Sequence, residues 1–213
     1  LWSIELGKPV EQIRFNQVAV LACGTNGGGP SRELPEAADF RRCRPEASGL
    51  REVYFEYDDE QAYIHRAQRS EYEGVLGRTS IFAYPIVASV LVDDAGRVVG
   101  LRAVTDDRAD VERRTFAYRL MENLKNRFAR WNLACEEIGA EQGQSPVAGI
   151  FEHQKCSGED AGLGQRVFLE SRYFRRLGQH GIDPHSGNVT EGAFESSTRL
   201  EVVLRDAAPA TGS

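Results

Sequence analysis

Lysine is almost missing from this chain of 213 residues. It occurs only at Lys8, Lys125 and Lys155, so nearly all of the 26 basic residues are arginine. That bias suits a GC-rich coding sequence and says nothing of function. Excess positive charge is missing too. The formal net charge is −6 and the isoelectric point about 5.4, which argues against a general nucleic-acid-binding role. No apolar run approaches the roughly 20 residues of a membrane helix, so no membrane span is expected.

Motifs of known chemistry are equally scarce. No serine sits in Gly-x-Ser-x-Gly, and the cysteines lack the close CxxC spacing of zinc or thioredoxin sites. The glycine-rich stretch Gly24–Gly29 follows a predicted strand, as phosphate loops do, but it has no Gly-Lys-Ser/Thr ending and no GxGxxG pattern. It reads as a surface loop. No cofactor is implied.

The cysteines that are present carry a pattern. Cys23, Cys43, Cys135 and Cys156 fall as two local pairs, separated by 20 and 21 residues. Pairing within each closes two loops of similar size, each bridge contributing roughly 3 kcal/mol. The chain opens on Leu1 rather than Met, as a processed chain would. Together these predict two disulfides and a periplasmic or secreted protein.

Residues 17–22 suit a short strand. In residues 51–57, Val53, Phe55 and Tyr57 alternate with Glu52, Tyr54 and Glu56, which predicts a strand with one apolar face. Two apolar runs, 86–92 and 98–105, flank Asp93-Asp94-Ala95-Gly96 and predict a β-hairpin. A helix is predicted over 107–128, capped by Thr105 or Asp106. Its stripe is Ala117, Leu120, Met121, Leu124 and Phe128, to be covered by the hairpin. A second strand pair is predicted at 147–155 and 166–175, joined through 156–165, and a last strand at 192–204.

The fold class that follows is α+β: a mainly antiparallel sheet built of β-hairpins, with one long amphipathic helix packed on it. Residues 1–206 read as one domain, with two lobes divided near 130–145 as the alternative, and 207–213 as a disordered tail.

One cluster has ligand chemistry. His180, Asp183 and His185 lie within six residues, and His153 can join them; imidazole and carboxylate suit zinc or copper. The spacing matches no strong metal motif, and a polar Gly/Pro loop with solvated histidines explains it better. The run Arg172-Tyr173-Phe174-Arg175-Arg176 reads as an alternating strand with a wet outer face. The function expected is non-enzymatic: an exported protein that binds another protein or serves as an accessory subunit. A periplasmic metal-dependent hydrolase using His153, His180, Asp183 and His185 is the alternative. A small-ligand-binding protein with its pocket between sheet and helix is a third.

Overall fold

The computed structural model describes residues 1–13, 18–57, 79–109, 114–178, 180–182, 189–191 and 193–207. Its strands are β1 (Val18–Cys23), β2 (Arg51–Tyr57), β3 (Ser80–Ile81), β4 (Tyr84–Val92), β5 (Val98–Thr105), β6 (Ala134–Glu137), β7 (Gln144–Ser145), β8 (Glu152–Asp160), β9 (Gln165–Arg176), β10 (His180–Ile182), β11 (Val189–Glu191) and β12 (Glu195–Leu204). Among the described residues, helix α1 spans Leu120–Arg127, and Arg114 and Thr115 are also helical. A 10-stranded sheet runs in the order β1-β2-β4-β5-β12-β9-β8-β6, with β3 beside β4 and β7 beside β9; β10 and β11 pair separately. Every pairing is antiparallel. No described helix is long and apolar enough to cross a membrane.

The core lies on one face of the sheet. Register lines up Phe55, Ala88, Ala103, Leu200, Leu169 and Cys156 in one row. Val53, Val90, Leu101, Val202 and Val167 form the next. All are buried. Because side chains alternate across a strand, these rows share one face. At the β12–β9 end, α1 covers it with Leu120, Met121 and Leu124. At the hairpin end the chain from Gly7 to Val10 runs beside Gly96–Val98, where Gly7 N–H donates to Val98 O and Val10 N–H to Gly96 O. Phe40 closes over Gly96, whose φ of +83° only glycine adopts cheaply.

This arrangement corrects the helix expected over 107–128. Asp106 accepts the Arg108 N–H at 2.9 Å in a local turn instead of capping a long helix. Residues 110–113 of the predicted helix lie outside those described. Ala117–Arg119 form a 3-10 turn, and α1 itself is 8 residues. The physical reason is in the stripe: apolar spacing begins at Ala117, so the earlier residues offer little apolar surface to pack, and short helices depend on packing. The helix also covers β9 and β12 rather than the β4–β5 hairpin, whose core face the N-terminal segment and Phe40 occupy.

Two further boundaries differ. The second strand pair extends through Cys156 to Asp160 and turns at 161–164, so the predicted connection 156–165 is mostly strand. Ala207, expected in a loose tail, packs against the small cluster of Leu50, Leu91, Val99 and Val203; residues 208–213 lie outside the described set.

Both cystines are present. Cys23–Cys43 ties the end of β1 to the irregular segment after it. Cys135–Cys156 joins residues directly opposed on β6 and β8.

Candidate functional site

The second face of the sheet is polar, and it divides into a sealed half and an open half. In the sealed half, Glu52 and Tyr54 lie on the face of β2 opposite Val53 and Phe55, yet both are only 2% exposed. The glycine-rich loop seals Glu52 in, while Tyr54 packs with Ala22 and Val87. Asn26 and Gly27 donate their backbone N–H groups to the Glu52 carboxylate, and Gly24 N–H donates to the Glu52 carbonyl. A Cβ at Gly24 would stand 2.3 Å from Glu52 Cγ, and one at Gly27 would stand 2.4 Å from Val104 Cγ2. The glycines are there for close approach to the sheet. Backbone amides that would cradle a phosphate in a nucleotide loop hold an internal carboxylate instead.

Arg102, 2% exposed, stands beside this carboxylate. Its guanidinium donates to Glu201 at 2.7 Å and to both oxygens of Glu46, and lies 3.0 Å from Glu52. Ser89 Oγ donates to Glu52 at 2.6 Å. Burial alone disfavours the charged guanidinium. Hydrogen bonds to Glu46 and the charges of Glu52 and Glu201 outweigh that and raise the Arg102 pKa above its ordinary value. Arg199 links this cluster to the loop, donating to Glu201 and to both Asn26 oxygens.

The open half is a groove of about 760 Å³ over β12, β9, β8 and β6. Register places Arg199, Glu170, Lys155 and Glu136 in one row across four strands, with the sign of charge alternating. The row beside it is Glu201, Phe168, Ser157 and Ala134. Glu170 accepts from Arg172 Nε at 3.0 Å and lies 3.7 Å from Lys155 Nζ. Its burial works against ionisation, but contacts with His153, Arg172 and Lys155 prevail and hold its pKa below the usual carboxylate range. Arg172 also donates to Glu195 at 3.1 Å. Ser157 and Glu136 are exposed, and neither side chain has a hydrogen-bond or ion-pair partner among the described residues.

The metal set proposed from sequence is brought together only where it can be described. His153 lies on β8, with Nε2 2.9 Å from Glu170 Oε1 and the ring beside Phe174. Its buried Nδ1 has no partner among the described residues. His180 opens β10, its backbone opposite Glu191. Asp183 and His185 lie outside the described residues. No group of three or more His, Cys, Asp or Glu is poised for a metal among the described residues.

The run 172–176 is a strand, as expected, yet Tyr173 and Phe174 are both buried, so its two faces are both covered there. Sequence reasoning missed the groove. It also missed the sealed cluster beside it, whose signal was Arg102, the one charge in the apolar strand β5.

The sequence matches no family model, and no curated protein or solved structure shows significant similarity to it.

Proposed function

We propose that this is a non-enzymatic binding protein, exported to the periplasm or beyond, whose grooved sheet face receives a segment of another protein. The supporting observation is the groove with its fixed charges of both signs. Small-molecule pockets are mostly apolar with a few polar groups. This one is lined by Glu136, Lys155, Glu170, Arg172, Arg199 and Glu201, with Phe168 and Val104 as apolar floor. A polypeptide matches such a surface because it supplies charges of either sign together with backbone donors and acceptors. The third sequence reading placed a pocket between sheet and helix; that space is filled by Leu120, Met121 and Leu124. Two cystines in one chain suit an oxidising compartment, since reducing cytosol rarely sustains them.

Affinity capture from the native host tests the reading. Wild-type protein should retain a stoichiometric protein partner. Ser157→Arg, which fills the groove from an exposed position, should lose it while melting as the wild type does. Capture that is absent, or equal in the two proteins, contradicts the proposal.

A further inference from the structure

Among the described residues the sheet ends at β6. All of its residues, Ala134, Cys135, Glu136 and Glu137, are exposed. Antiparallel strands alternate inward- and outward-directed N–H groups. Ile138 N–H donates to His153 O at 2.7 Å, which sets the phase. Glu136 and Ala134 therefore point their N–H groups inward to β8, and Cys135 and Glu137 point theirs outward. Those outward groups have no partner among the described residues.

The charge row supplies the second observation. From Arg199 through Glu170 and Lys155 to Glu136, each strand presents the opposite sign to its neighbour. Directly opposed charges of opposite sign stabilise a sheet, and like charges destabilise it. The series stops on an acid at the open edge. The next strand in the series is one that brings a cation.

We propose that the β6 edge accepts an extended basic segment of a partner protein as an added strand, with a Lys or Arg of that segment opposite Glu136. This rests on the protein-binding reading above and specifies its mode. Main-chain hydrogen bonds to Cys135 and Glu137 give affinity, and the alternate side chains that face the groove give selection. The Cys135–Cys156 cystine contributes by pre-organisation. A short exposed terminal strand frays readily; the covalent tie to the directly opposed residue on β8 holds the edge in register before a partner arrives. A second copy of this chain is a poor occupant. Pairing β6 with itself about Glu136 sets acid against acid, and the chain already carries a net charge of −6.

The test uses a short peptide alternating lysine and valine, with one alternating glutamate and valine as control. Binding is read by fluorescence anisotropy, and amide exchange by NMR. The lysine peptide should bind and slow exchange at Cys135 and Glu137; the glutamate peptide should not. Glu136→Lys should reverse the preference. Glu137→Pro removes an N–H that makes no bond among the described residues, a place where an edge strand tolerates proline. It should weaken binding about tenfold or more. If that variant unfolds early, the Glu136→Lys reversal carries the test. No binding, equal binding of both peptides, or binding that leaves the two amides unprotected overturns strand addition. Those results leave partner capture through the groove standing, because Ser157→Arg reads it separately; loss of capture itself would refute the function.

Discussion

Arg102 and its carboxylates show how a single residue organises the sealed half of the second face. Glu46, Glu52 and Glu201 all approach one guanidinium that water barely reaches. Removing one member of a buried ionic group leaves the others uncompensated, which typically costs about 3–5 kcal/mol. Arg102→Ala should therefore lose stability of that order in urea unfolding; a loss below about 1 kcal/mol would show that water reaches the site. Glu170 makes a pH-dependent contribution. Its folded pKa lies below the unfolded value, with His153, Arg172 and Lys155 facing it. The stabilisation it gives is present above the unfolded pKa of about 4.3 and disappears as pH falls through the folded pKa. Glu170→Gln should accordingly destabilise the protein more at neutral pH than at pH about 3, as denaturant melts at both pH values would show. An equal loss at both would mean that the carboxylate's charge contributes nothing.

At the scale of elements, α1 and both cystines act on the core face of the sheet, the cystines near its two ends. Leu124 is fully buried between the helix and the core rows. Leu124→Ala should cost about 2–5 kcal/mol, the range for truncating a buried leucine, and a loss below about half a kcal/mol would show an unpacked helix. Mass mapping of non-reduced peptides should return Cys23 joined to Cys43 and Cys135 to Cys156. Four thiols open to alkylation without reductant would refute both bridges and the export argument with them. Much of this scale was legible. The strand at 51–57 and the 86–105 hairpin announced themselves by alternation and by the turn at Asp93–Gly96. The cysteine spacing gave local pairs because each loop is closed within neighbouring elements. Helix length was not legible, because a capping residue at Thr105 or Asp106 does not replace an apolar stripe, which begins only at Ala117. The site was hidden for a different reason. Alternation marks Glu52 and Arg102 as outward-facing, and they are. Their burial comes from the Gly24–Gly29 loop and from Glu46, brought there by contacts distant in sequence.

For the whole molecule, the two faces of one sheet divide the work. One face is filled by α1, the N-terminal segment and Phe40, so it holds the fold together. The other carries a sealed ionic cluster beside an open charged groove that ends at β6, the last strand of the sheet among the described residues. Two cystines tie the sheet that presents this groove, and such cross-links favour affinity through pre-organisation. Hydrogen exchange of the protein alone and in complex with its captured partner tests this division most directly. Protection is predicted at residues 134–137 and 153–157 and along the groove-lining part of β9, with α1 unchanged. Protection confined to α1 and the N-terminal segment, leaving the groove and the β6 edge as exposed as in the free protein, would contradict the account.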